Sequence, residues 1–146
     1  MSHIAQIEIE VRDLDCLEAA CKELGLDVAR GQTKYKWWGS RVGREPLPAG
    51  FHEADLGHCE HAIKIPGNEK AYEIGICQRR DGKPGFTLLW DFFNGGYGLQ
   101  EKVGQNAGKL TQLYAVHVAT KQAKQQGYAV QRKVLQDGKI QLACRR

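Results

Sequence analysis

Alternating apolar and polar residues predict the first strand of this chain. Over residues 6–12 every second side chain is apolar, and this period of two is typical of a strand with one face in the core. Runs rich in β-branched and aromatic residues predict four further strands, at about residues 33–42, 62–65, 71–80 and 86–93. The glycine- and proline-containing turn at 81–85 predicts that the last two pair as a hairpin.

Two helices are predicted from apolar side chains that recur every three or four residues. Asp15 and Glu18 have the spacing of a capping box at the start of the first helix, and Gly25 is predicted to end it. Its apolar stripe comprises Leu14, Leu17, Cys21 and Leu24. The second helix is predicted at about 109–126, with a buried stripe at Leu113, Val116, Ala119 and Ala123. The alanines favour close packing on a sheet.

The C-terminal residues predict a second hairpin, whose register depends on its turn. A three-residue loop at 136–138, with Gly138 at positive φ, pairs Val134 with Ile140 and collects the apolar side chains on one face. A two-residue loop would mix apolar and polar side chains on each face. The first register turns Arg132 toward the core, where an arginine requires a hydrogen-bonding partner.

Together these elements predict a single α+β domain over residues 1–146. Two main helices pack on a mostly antiparallel sheet in the order β-α-β-β-β-β-α-β-β. A long ordered loop is predicted at about 43–61, because this stretch contains two prolines and no sustained period. Loops of this length in a compact domain are often functional.

Composition and charge narrow the class of protein only coarsely. The formal net charge of +4 is compatible with a polyanionic partner without requiring one. The sequence shows no run approaching the roughly 20 apolar residues of a membrane-spanning helix, and no charged-then-apolar leader. Five scattered cysteines without a CxxC pair are expected to be reduced thiols. The expected compartment is the cytoplasm, with no membrane association.

Potential metal ligands are concentrated in and beside the predicted loop. They are His52, Asp55, His58, Cys59 and His61. Imidazole and thiolate are the ligands that a tetrahedral zinc site uses, although this spacing matches no standard zinc finger. One hypothesis is therefore zinc bound by His52, His58, Cys59 and His61. The alternative is a set of loop side chains that hydrogen-bond the backbone, with no cofactor.

The predicted strand at 33–42 interleaves aromatic and basic residues. Its candidates for binding a nucleotide or nucleic acid are Tyr35, Lys36, Trp37, Trp38 and Arg41. Aromatic rings stack on bases while cationic groups hold phosphates. Other basic residues that are candidates for the same role are Arg132, Arg79, Arg80, Arg145 and Arg146. The same alternation is also expected of a half-buried strand with Trp37 in the core and its lysines in solvent.

No catalytic residue is assigned. Tyr114 and His117 lie one turn apart on the second helix, where they could form an acid–base pair, but such a histidine is more often a partly buried hydrogen-bonding group. Residues 94–98, NGGYG, are interpreted as a turn, and a short helical turn is expected near 99–103. The sequence contains no GxSxG, phosphate-loop, dinucleotide-glycine or HExxH motif. These observations favour a non-enzymatic protein over an enzyme.

Both ends of the chain carry a family resemblance. The matching positions in residues 2–25 and 112–146 are Ser2-His3, Arg12-Asp13-Leu14, Gln112, Tyr114-Ala115, Gly127 and Asp137-Gly138. In these segments the chain resembles the hypothetical chloroplast reading-frame thirty-five family, a domain-of-unknown-function family of plastids and bacteria. The resemblance implies that these residues are framework, and it implies a small role beside other proteins. The middle of the chain, with Trp37-Trp38 and residues 52–61, departs from the family pattern.

Three hypotheses of function follow. A non-enzymatic binding or adaptor protein, acting on a protein partner through the sheet face or the 43–61 loop, predicts an exposed apolar patch. A nucleic-acid or nucleotide binder predicts a basic stripe with an exposed tryptophan. A metal-binding module or metal-dependent enzyme predicts ligand atoms about 2.0–2.3 Å from one point.

Overall fold

The computed structural model describes residues 3–41 and 43–146. Over these residues the chain forms seven strands and three α-helices, which confirms the α+β class. The strands are β1 (Ile4–Val11), β2 (Asp27–Arg30), β3 (His61–Lys64), β4 (Ile74–Gln78), β5 (Phe86–Asp91), β6 (Ala129–Val134) and β7 (Ile140–Arg145). The helices are α1 (Leu14–Glu23), the short α2 (Leu99–Val103) and α3 (Gly108–Gln125).

The first five strands form one sheet in the order β1-β5-β4-β3-β2, and every neighbouring pair is antiparallel. The predicted hairpin of β4 and β5 is confirmed, with Ile76 opposite Leu88. Strands β6 and β7 form a separate two-stranded sheet. No helix in the described ranges is long and apolar enough to cross a membrane.

The prediction of a strand at 33–42 is wrong, because residues 33–41 do not form one. Residue 42 lies outside the described residues. Only Lys34 forms an isolated bridge, with His58. The edge strand is instead β2, in which Val28 pairs with Ile63. After Gly31, whose φ of +82° permits a sharp turn, the chain leaves the sheet and crosses its face. An alternating pattern also suits a segment that lies on a sheet with one side buried.

The sheet is buried on both faces. On one face, α1, α2 and α3 enclose a core that includes Leu17, Ile74 and Leu110. On the other face, the long segment between β2 and β3 covers the sheet, and its buried side chains are Tyr35, Phe51, Leu56 and Cys59. The predicted ordered loop is thus part of a longer covering segment, which is a structural layer of the domain.

The cap of α1 differs from the predicted one. Asp13 occupies the N-cap, and its Oδ1 accepts a 3.0 Å hydrogen bond from the amide of Cys16. Asp15 and Glu18 do not form a capping box; both bind the guanidinium of Arg30 in β2. The predicted end of the helix at Gly25 is confirmed by its φ of +74°.

Helix α3 lies where predicted, and its predicted stripe is confirmed in part: Val116 is buried, and Leu113 and Ala123 are partly buried. Ala119 is exposed, whereas Leu110 and Tyr114, outside the predicted stripe, are buried. The reason is the hydroxyl of Tyr114, which accepts hydrogen bonds from the amides of Arg12 and Asp13 at 3.0 and 3.2 Å. These bonds turn the tyrosine side of the helix toward the start of α1.

The register of the C-terminal hairpin is confirmed. Val134 pairs with Ile140 and Val130 with Cys144, and Gly138 has a φ of +85°. Arg132 faces the helices, as predicted, and donates to Glu23 at the end of α1. The hairpin therefore forms an outer layer on the helices.

Candidate binding surface

The predicted metal ligands are dispersed. His52 and His58 are exposed. Cys59 is buried and donates from Sγ to the carbonyl of Gln32 at 3.2 Å, and burial raises its thiol pKa to about 12. In β3, Nδ1 of His61 accepts a hydrogen bond from a backbone amide. Within residues 3–41 and 43–146 no three His, Cys, Asp or Glu side chains are grouped to hold a metal ion.

The predicted basic-aromatic set is divided between core and surface. Tyr35 is buried, and burial raises its pKa; Trp37 packs partly buried on the same core. Lys36 donates to the carbonyl of Glu69. Trp38 is 57% exposed and is the member of the set with a free aromatic face.

The two arginines of the predicted set are engaged by carboxylates. Arg41 lies 3.4 Å from the carboxylate of Glu53 and also donates to a backbone carbonyl. Arg132 donates to Glu23 at 2.6 Å. Both arginines are therefore already paired with carboxylates.

Tyr114 and His117 do not pair, and His117 is a partly buried hydrogen-bonding group, which is the interpretation favoured for it from the sequence. The hydroxyl of Tyr114 is bound to the backbone before α1, while Nε2 of His117 contacts the carboxylate of Glu23.

Burial raises the pKa of the Cys21 thiol to about 12, which makes this thiol a poor nucleophile at neutral pH.

A groove of about 350 Å³ lies between the covering segment, strands β1 and β5, and the turn that follows β4. Its two arginines are already paired. Arg79 lies 3.1 Å from Glu10 and 2.5 Å from Asp81. Arg80 lies 2.8 Å from Asp55 and 4.8 Å over the ring of Phe51. The groove thus offers an ionic ligand no unpaired guanidinium.

The feature that sequence reasoning missed is a buried carboxylate at the end of β5. Asp91 is fully buried. Its Oδ1 accepts the amides of His3 and Phe93, each at 3.1 Å, and its Oδ2 accepts the amide of Trp38 at 3.2 Å. Buried carboxylates require such compensation, because an unpaired charge in the interior is costly. Asp91 therefore joins three segments that are distant in sequence.

The three residues that bind this carboxylate through their backbone amides carry aromatic side chains, and Phe92 and Tyr97 contact two of those rings. We call this surface the aromatic corner, and it comprises His3, Trp38, Phe92, Phe93 and Tyr97. The ring centroid of Phe93 lies 6.2 Å from that of His3 and 6.4 Å from that of Tyr97. Tyr97 is 41% exposed. Exposed aromatic side chains fixed by their neighbours are typical anchors of protein interfaces.

The backbone that presents Tyr97 is left-handed. Asn94, Gly95, Gly96 and Tyr97 have φ between 50° and 65°. For the two residues with side chains, this conformation costs roughly 1–2 kcal/mol each. The segment is held by a hydrogen bond from the amide of Tyr72 to the carbonyl of Gly96 at 2.9 Å. The predicted turn is therefore a strained platform, and strain of this kind clusters at functional sites.

Comparison with known proteins places the chain in a family. Residues 20–143 match the model of a family described as protein of unknown function (DUF1257), and the chain belongs to this family. No curated protein and no solved structure matches it. The description of the family assigns no activity. A function is therefore proposed from the geometry of the described residues.

Proposed function

We propose that this chain is a non-enzymatic binding protein that recognises a partner protein through the aromatic corner. The observation that carries the proposal is the position of Trp38. Its indole is 57% exposed, while its amide is held by the buried carboxylate of Asp91. A large apolar side chain on a fixed backbone loses little conformational freedom when it is buried in an interface.

The charges around the aromatic corner favour a protein over a nucleic acid. His3 lies 3.2 Å from the carboxylate of Glu45, and the ammonium group of Lys36 is bound to a backbone carbonyl. A polyanion would require free cationic groups beside the rings. Apolar protein side chains would instead bury Trp38 and Tyr97 at the centre of an interface with a polar rim.

Native mass spectrometry of the protein isolated from its own cells tests this proposal. We expect the wild type to carry the mass of an additional protein chain, and the Trp38→Ala variant to lose it. Val134→Ala is the matched control, because it removes an exposed apolar side chain from the C-terminal hairpin. A bare wild-type chain, an associated nucleic acid in place of a protein, or a partner retained by Trp38→Ala would contradict the proposal.

Two finer assignments belong to the same proposal. We infer that the chain is of the chloroplast reading-frame thirty-five type. This is supported by the hydrogen bonds between Tyr114 and the amides of Arg12 and Asp13, which join two of the matching segments. We also propose a cytoplasmic location, supported by five cysteines that remain free thiols.

A further inference from the structure

Acidic residues are nearly absent from the C-terminal part of the chain. Residues 108–146, which form α3 and the β6–β7 hairpin, contain eight lysines and arginines and a single acidic residue, Asp137. The preceding residues carry more acidic than basic groups. Residues 108–146 are therefore strongly basic, although the net charge of the whole chain is modest. Such asymmetry is typical of proteins that contact polyanions.

The hairpin separates its two faces clearly. Two contacts hold its inner face on the helices. Arg132 donates to Glu23, and the side-chain amide of Gln112 donates to the carbonyl of Gly138 at 3.1 Å. Its outer face consists of three cross-strand pairs, and all six side chains are exposed. These pairs are Ala129–Arg145, Gln131–Ala143 and Lys133–Gln141.

The outer face is basic and carries no carboxylate. The ion pairs of the C-terminal unit join Lys121, Arg132 and Lys139 to acidic residues. Among the described residues, Lys133 and Arg145 make no such pair, so their charges are available to a ligand. Ala129 lies opposite Arg145 and Ala143 opposite Gln131, and these short side chains permit close approach of a large partner.

We propose that the outer face of the β6–β7 hairpin binds duplex DNA, with the two-stranded ribbon in the major groove. The major groove of B-form DNA is about 12 Å wide and admits a two-stranded β-ribbon. Lys133 and Arg145 then contact phosphates, while Gln131 and Gln141 present amides to the base edges. The deep, narrow major groove of duplex RNA does not admit such a ribbon. This surface is separate from the aromatic corner.

Fluorescence anisotropy with a labelled DNA duplex, measured from 50 to 200 mM salt, tests the proposal. We expect binding of the wild type that weakens steeply with salt. The double variant Lys133→Gln/Arg145→Gln should lose at least about tenfold in affinity at low salt. It should also lower the slope of log affinity against log salt by roughly 2, since each lost phosphate contact removes about 0.9.

The matched control is Lys70→Gln/Lys83→Gln, which removes the same charge from exposed lysines in the loops of the main sheet. It should retain the affinity of the wild type, as should Trp38→Ala, so failure here is distinguishable from failure at the aromatic corner. The proposal is overturned if no binding is seen at 50 mM salt. It is also overturned if both double variants bind equally, or if duplex RNA or anionic lipid vesicles are bound in preference to DNA.

Discussion

The guanidinium of Arg132 donates a 2.6 Å hydrogen bond to the carboxylate of Glu23, which fastens the C-terminal hairpin to the end of α1. The same carboxylate contacts His117 of α3. Three elements therefore meet at one acidic side chain. The hairpin needs such a fastening, because a two-stranded sheet is marginally stable by itself and neither strand contributes a buried residue.

Replacement of Glu23 by glutamine should loosen the hairpin without unfolding the domain. Partly exposed ion pairs of this kind contribute about 0.5 kcal/mol, so amide protection in β6 should fall by roughly two- to five-fold. Hydrogen exchange followed by mass spectrometry measures this change. Glu101→Gln, which alters an exposed carboxylate on α2, is the control and should leave β6 unchanged. Equal loss of protection throughout the molecule would contradict a local role for Glu23.

The contribution of Glu23 should also depend on pH. The hydrogen bond from Arg132, and secondarily the contact with His117, lower its pKa from the ordinary value of 4.5. A carboxylate whose pKa is lower in the folded state stabilises that state above its unfolded pKa, and this stabilisation is lost as pH falls through the folded pKa. The difference in β6 protection between wild type and Glu23→Gln should therefore be full above about pH 5 and shrink in stronger acid. A difference that grows on acidification would reverse the assigned sign.

Removal of two tyrosine hydroxyls should change the free energy of unfolding in opposite directions. The hydroxyl of Tyr35 is buried without a hydrogen-bond partner among the described residues, so Tyr35→Phe should raise the free energy of unfolding by about 1 kcal/mol. Tyr114→Phe should lower it by about 1 kcal/mol, because two amides lose their acceptor. Urea unfolding measures both. Destabilisation by both variants would show that the hydroxyl of Tyr35 has a partner in solution.

These contacts show why parts of the fold were predictable and others were not. The C-terminal register followed from local pattern, since only one turn length collects the apolar side chains of Val134 and Ile140 on one face. The buried face of α3 was only partly predictable in this way. Apolar residues occur around much of that helix, and the choice is made by Tyr114 bonding to residues about one hundred positions away.

Even less of the candidate site could be predicted from the sequence. The exposed Trp38 was among the predicted binding residues, but its anchor was not. Asp91 is an ordinary acidic residue in the sequence, and its role exists only because folding brings the amides of His3 and Trp38 to it. Likewise the segment at 33–42 alternates like a strand, and only the placement of Tyr35 against the sheet distinguishes the two arrangements.

The close approach of Tyr35 to the sheet requires glycine at position 75. A Cβ added to Gly75 would lie 2.4 Å from Cδ1 of the Tyr35 ring, well inside van der Waals contact. Gly75→Ala should therefore displace the covering segment and lower the free energy of unfolding by about 1–3 kcal/mol. Gly108→Ala is the matched control. It lies at the start of α3 with nothing near its Cβ position, and should be neutral or stabilising by up to about 1 kcal/mol. Chemical denaturation of both variants measures the difference. The double variant Gly75→Ala/Tyr35→Ala should regain part of the loss, because the smaller side chain removes the clash; an equal or greater loss would show that Gly75 acts through something other than Tyr35.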